Sequence, residues 1–78
     1  MNDKRDLYKK IGENIRRFRR QKGLSQEELA WTGTINRSFI GGLERAEKKP
    51  SIDTMMKIAK TLDVPLYRFF KFNEEEVV

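Results

Sequence analysis

Three consecutive side chains, Asn36, Arg37 and Ser38, could each hydrogen-bond to an external partner. Arg37 has the most specific chemistry. Its planar fork can bond two acceptors at once, the geometry offered by O6 and N7 of a guanine. Covalent chemistry is poorly supplied. The 78 residues contain no cysteine and no histidine. That removes any disulfide, thiolate metal site or cysteine nucleophile, and with them the commonest general base and metal ligand. No glycine loop is built to cradle phosphate, and so short a chain leaves little room for a pocket. An enzyme, a metal centre, a cofactor and a small-molecule ligand are therefore not expected.

The formal charge is +5. Between Met1 and Lys22 nine basic residues stand against three acidic ones, while Glu74, Glu75 and Glu76 follow one another at the other end. A basic body with an acidic end points to a polyanionic partner, although the same charges could form a solvated face. No apolar run reaches membrane-spanning length, and the N-terminus lacks the apolar core of a signal peptide. With no disulfide to form, a reducing cytoplasm is the expected setting.

A set of short helices must position these groups. Gly23, Gly33, Pro50 and Pro65 break the chain, and between them apolar residues recur at helical spacing. Ile11, Ile15 and Phe18 stripe a first helix, expected from about Leu7 to Gln21 and ended by Gly23. Ser25 with Glu28 three residues on is a capping-box pattern. It starts a second helix, Gln26 to about Thr32, with Leu29 and Ala30 inward. A third runs from near Asn36 to Leu43 or Glu44, with Phe39, Ile40 and Leu43 apolar. Pro50 and Ser51 open a fourth, striped by Ile52, Met55, Ile58, Ala59 and Leu62. A fifth, from Pro65 to about Lys71, holds Leu66, Phe69 and Phe70. The expected class is all-α, a compact five-helix domain whose helices are too short to stand without packing.

The third helix is weak. Gly41 and Gly42 each cost about 1 kcal/mol relative to alanine inside a helix. Two short helices joined by a tight turn fit a helix-turn-helix. In that motif the first helix crosses the sugar–phosphate backbone and the second enters the major groove by its N-terminal end. Such a helix needs one apolar stripe behind it and small or hydrogen-bonding residues elsewhere. The paired glycines fit a close approach to DNA, or equally a close packing against helix one or two. Ser25 and Gln26 begin helix two, where main-chain N–H groups and the helix dipole suit a phosphate.

The ordered set Gln26, Glu27, Glu28, Leu29, Ala30, then Ile35, Ile40, Leu43 and Glu44, then Pro50, Ser51, Ile58, Ala59 and Lys60, resembles the XRE family of phage-repressor-like helix-turn-helix proteins. The likeness covers about Ile11 to Phe70. A stand-alone domain of this length is most similar to the controller proteins of restriction–modification systems, with small phage or plasmid repressors and antitoxin-type regulators as alternatives. The resemblance implies a lambda-repressor-like DNA-binding fold. It implies that Asn36, Arg37 and Ser38 face base edges, although Asn36 is also a good helix cap. It implies that Arg45, Lys48 and Lys49, with Thr34 of the turn, join Ser25 and Gln26 on the DNA backbone. Arg19 and Glu44 are implied to form a buried salt bridge, which takes Arg19 out of the basic surface. One departure stands at Thr34, where the family places glycine or asparagine. A β-branched residue at positive φ is strained, so either Gly33 takes the reversal or Thr34 keeps an ordinary conformation.

The domain reading is 1-72 as one DNA-binding unit, with the motif at 26-44 and a C-terminal dimerisation helix, and 73-78 as a disordered acidic tail. Leu66, Tyr67, Phe70 and Phe72 crowd a C-terminus too aromatic for so small a core, and a two-fold interface is expected there. The alternative is that most of them cap one monomer. Trp31 is expected to cover the core edge. The implied function is a homodimeric, sequence-specific transcriptional regulator on a near-palindromic operator of double-stranded DNA. It would reside in the cytoplasm on the nucleoid, with RNA polymerase reached through Glu27 or Glu28. A protein-binding adaptor or an antitoxin-type regulator on the same fold is the alternative.

Overall fold

The computed structural model describes residues 3–72, so the expected acidic tail lies outside the described residues. Four α-helices and a terminal 3-10 helix follow one another, with no strand among the described residues: α1 Lys4–Gln21, α2 Gln26–Gly33, α3 Arg37–Glu44, α4 Ile52–Leu62, and the 3-10 helix Leu66–Phe70. Each α-helix starts on a side-chain cap. The Asp3 carboxylate accepts the Arg5 N–H at 2.8 Å and carries α1 a turn ahead of its apolar stripe. Ser25 and Glu28 make both bonds of a capping box. The Asn36 side chain accepts from Phe39 N at 3.1 Å, and Ser51 accepts from Thr54 N at 3.1 Å. Each cap satisfies a donor that the helix itself leaves unpaired.

After each α-helix the chain reverses through a residue at positive φ: Gly23 (79°), Thr34 (56°), Ala46 (62°) and Asp63 (59°). Only the first is glycine. Both readings of the second turn are therefore corrected: Gly33 stays helical, and Thr34 itself is left-handed at ψ 50°. The reason is hydrogen-bond register. Thr34 N–H reaches Trp31 O at 3.3 Å and Ile35 N–H reaches Ala30 O at 2.8 Å, which fixes the reversal one residue after the glycine. A methyl at Gly33 would lie 3.0 Å from Thr61 Oγ1 and 3.1 Å from Ile35 Cδ1, a tight fit against two side chains.

The core draws on every element. Ile15, Leu29, Ile40, Ile58 and Phe69 are fully enclosed, with Ile11, Phe18, Leu43, Met55 and Leu62 around them. The fifth element is 3-10 rather than α-helical. Pro65 precedes it, and Arg68 N–H bonds Pro65 O at 3.0 Å, three residues back. One buried side chain ties its backbone to α1. Asn14, buried on α1, donates from Nδ2 to Phe69 O at 2.8 Å and to Lys71 O at 3.2 Å. Phe69 then packs on Phe18 with ring centroids 6.0 Å apart.

Gly12 sets the crossing of α1 over α3. A methyl at Gly12 would collide with the Leu43 carbonyl oxygen and sit 3.0 Å from Glu44 O. The helix-three glycines have other neighbours. A methyl on Gly42 would meet the Lys48 side chain of the following loop. One on Gly41 would lie 3.0 Å from Arg45 Nη1 and 3.4 Å from Gln26 Oε1. Close packing on α1 is thus the work of Gly12, not of Gly41 or Gly42. Trp31 is a further correction: at 87% exposure it covers no core edge. Its place on α2, next to buried Ala30, points it away from the interior.

Candidate nucleic-acid interface

Helix α3 presents two unlike sides. Ile40 and Leu43 are buried behind it, while Asn36, Arg37 and Ser38 stand exposed at its N-terminal end. The Asn36 carbonyl oxygen is engaged by Phe39 N–H, so its amide NH2 remains for an outside acceptor. Arg37 and Ser38 carry no salt bridge or side-chain hydrogen bond among the described residues, and both are exposed.

The orientation of α3 is fixed from behind by an ion pair. Arg19 Nε donates to Glu44 Oε2 at 2.6 Å and Arg19 Nη2 to Glu44 Oε1 at 3.0 Å. A third guanidinium nitrogen, Nη1, bonds Leu24 O at 2.7 Å. The Arg19 side chain is 9% exposed and that of Glu44 2%. All three guanidinium nitrogens are bonded inside the protein and the side chain is buried, so Arg19 is not presented to DNA. Gln26 completes the cluster, its Nε2 donating to Glu44 Oε1 at 3.0 Å. The Gln26 amide is thus tied to the back of α3, so its side chain reaches a phosphate only by giving up that bond. Sequence reasoning missed this link because the partner lies 18 residues away.

The N-terminus of α2 is partly occupied by its own cap. Ser25 N–H bonds Glu28 Oε1 at 2.8 Å, and the Ser25 hydroxyl accepts Glu28 N–H at 2.9 Å. The Ser25 backbone and hydroxyl bonds hold the Glu28 carboxyl below the ordinary glutamate range. The Gln26 and Glu27 N–H groups at the helix tip have no partner among the described residues, and an incoming phosphate could meet them there.

Arg45, Lys48 and Lys49 lie exposed in the loop after α3. That loop is compact: Glu47 N–H and Lys48 N–H both bond Gly42 O, at 2.7 and 3.2 Å. Arg45 Nη2 pairs with Glu47 Oε1 at 3.0 Å on the surface. The hydrogen bond and charge of Glu47 raise the Arg45 pKa, and Arg45 in turn lowers that of Glu47. Exposed pairs of this kind are weak, and a phosphate could displace the carboxylate. Thr34 is exposed in the turn.

The residues read as a dimer face divide. Leu66 and Phe72 are part-buried against the monomer core. Tyr67 (64% exposed) and Phe70 (39%) stand free of it, and α4 adds Ile52 and Met56, each 54% exposed. The exposure of Ile52 departs from the inward stripe expected on sequence: it lies in the first turn of α4, ahead of the buried Met55. Among the described residues no helix is long and apolar enough to cross a membrane, and no cluster of acidic, histidine or cysteine residues could hold a metal.

Comparison with known proteins agrees with this geometry. The helix-turn-helix profile HTH_3 matches residues 15–69. The restriction-modification controller protein C.AhdI from Aeromonas hydrophila is 38% identical and superposes with a TM-score of 0.78, over 81% of this chain and 96% of that one. The control protein C.SmaI from Serratia marcescens is 36% identical over 58 residues, 74% of this chain and 69% of its own. The biofilm master regulator SinR, solved in complex with DNA, is 32% identical with a TM-score of 0.75, covering 78% of this chain and 98% of that one.

Proposed function

The chain belongs to the helix-turn-helix family of DNA-binding transcriptional regulators, and from that premise we propose that it is a homodimeric controller protein of the restriction–modification type, acting on a near-palindromic operator. The observation that carries this reading is the split character of α3. Its back is locked by Ile40, Leu43 and the Arg19–Glu44 pair, and its exposed end offers Asn36, Arg37 and Ser38 to base edges. Arg37 is assigned a guanine, a contact worth about 1–3 kcal/mol of discrimination. Ser25, Gln26, Thr34, Arg45, Lys48 and Lys49 are assigned to the backbone, each neutralised phosphate steepening the log–log salt dependence by about 0.9. Gly41 and Gly42 add no side-chain readout, so sequence-dependent DNA shape supplies part of the specificity.

Two copies would join through Tyr67 and Phe70 together with Leu66 and Phe72, and the exposed Ile52 and Met56 of α4 offer further apolar area. The half-sites would then lie about one helical turn, roughly 34 Å, apart. A polymerase contact, if made from α2, falls to exposed Glu27, since Glu28 is committed to the capping box.

Selection of binding sites from random duplex DNA, followed by retesting Arg37→Ala, tests the assignment. The variant should lose preference at one symmetric pair of positions while keeping its nonspecific affinity. Equal loss on every sequence would make Arg37 a phosphate contact instead. Sedimentation of Phe70→Ala should show weakened self-association; an unchanged dimer removes that face from the interface.

A further inference from the structure

Trp31 is the chain's only tryptophan and, among the described residues, the most exposed large apolar side chain, at 87%. Leu7, Ile52, Met56, Tyr67 and Phe70 are exposed too, but they belong to other elements. Trp31 alone sits within the helix-turn-helix pair. Together with Ala30, Thr34, Ile35, Asn36 and Arg37 it lines an open trough of about 660 Å³. The trough therefore opens on the same side chains that are assigned to base edges.

The chemistry of the trough restricts what can enter it. Its walls are an indole, two aliphatic side chains and a threonine. The Glu27 carboxylate also lines it, and a phosphate beside that charge would be repelled. The group that meets these walls should be uncharged and apolar, and it must lie next to a base that Arg37 can reach. In a major groove the apolar group meeting that description is the methyl at C5 of a pyrimidine.

We propose that this trough receives the 5-methyl group of a pyrimidine adjacent to the base bonded by Arg37, which makes Trp31 a specificity-determining residue. The proposal rests on the DNA-binding reading above. The methyl has two sources, thymine and 5-methylcytosine, with the same shape at C5. Thr34 helps to place the indole. Its left-handed conformation ends α2 one turn after Trp31 and turns Ile35 back beside it.

The experiment uses the full chain and the operator recovered by selection. Each thymine is replaced in turn by deoxyuridine, each cytosine by 5-methylcytosine, and affinity is read by fluorescence anisotropy of labelled duplex for wild type and Trp31→Ala. Wild type should lose about fourfold per half-site when the critical thymine loses its methyl, the worth of one buried methyl group. If cytosine occupies that position, methylation should give a similar gain. Trp31→Ala should show neither effect, and its melting temperature should match wild type because the side chain is exposed. Indole emission should shift on saturating wild type with operator. A uracil penalty equal in both proteins, no methyl effect at any position beside the Arg37 base, or unchanged emission would overturn the proposal while leaving DNA binding intact. A Trp31→Ala variant with unaltered methyl response but lost transcriptional output would assign the indole to a protein partner instead. Failure of the wild type to select any duplex would sink the parent reading itself.

Discussion

Removal of the Glu44 carboxylate is the sharpest perturbation of the scaffold. Glu44→Ala strands a guanidinium whose side chain is 9% exposed and unties Gln26 in the same step. Breaking a buried pair by removing one partner costs about 3–5 kcal/mol, most of it the burden of an unpaired buried charge. A domain of this length is stable by roughly 4–12 kcal/mol in total. The variant therefore loses from a quarter of its stability to all of it, and its midpoint should fall by at least about 12 °C. Urea and thermal denaturation followed by far-ultraviolet circular dichroism would measure this. The paired replacement Arg19→Met with Glu44→Leu should recover much of the loss, because apolar groups of similar volume need no partner. Measured while folded, that double variant should keep the wild-type salt slope for nonspecific DNA, since Arg19 touches no phosphate. Single variants within 1 kcal/mol of wild type, or a double variant losing the sum of the two, would refute the reasoning.

Other substitutions probe the turns and crossings. Gly12→Ala should destabilise by at least about 2 kcal/mol, because its methyl meets the backbone carbonyls of Leu43 and Glu44 rather than a movable side chain; a denaturation midpoint equal to wild type would contradict the crossing geometry. Thr34→Gly should raise stability in the absence of DNA by about 1 kcal/mol, by relieving a β-branched residue at φ 56°. A loss instead would mean that glycine entropy outweighs the strain. Glu28 has its pKa lowered by Ser25, so its contribution to stability is complete above the unfolded-state value and is lost as pH falls through the lowered folded-state value. Glu28→Gln keeps a residue able to close the capping box and should flatten that acid limb in a pH series of melts.

The stripes at Ile11, Ile15 and Phe18 and at Met55, Ile58 and Leu62 were readable because their period is local, and so were the caps at Ser25, Asn36 and Ser51. What escaped depends on distant neighbours. Gly12 reads as an unremarkable helix residue until α3 is laid across it. Asn14 reads as a polar position on α1, and only the carbonyls of Phe69 and Lys71 explain why it is buried. Thr34 escaped for another reason: propensity argues against positive φ at a β-branched residue, but the hydrogen bonds closing α2 decide the conformation. Trp31 shows the reverse error, since apolar character by itself predicts burial and says nothing about a surface intended for a partner. In the candidate interface, sequence placed Asn36 to Ser38 at the start of α3, where they are exposed; their role at base edges is a proposal. The tether from Gln26 to Glu44 and the Arg45–Glu47 pair were not legible, because each requires knowing which charges the turns bring together.

The double anchorage of Asn14 has a consequence for synthesis. Its two acceptors lie 55 and 57 residues downstream, among the last described positions to leave the ribosome. A growing chain that has emerged only through α4 carries the helix-turn-helix residues but leaves Phe18 without Phe69 to pack on it and the Asn14 amide without its two carbonyl acceptors. Contacts of such long sequence separation form late and slowly. The 3-10 helix thus works as a latch: the domain is not closed until Phe69 and Lys71 have emerged to accept from Asn14.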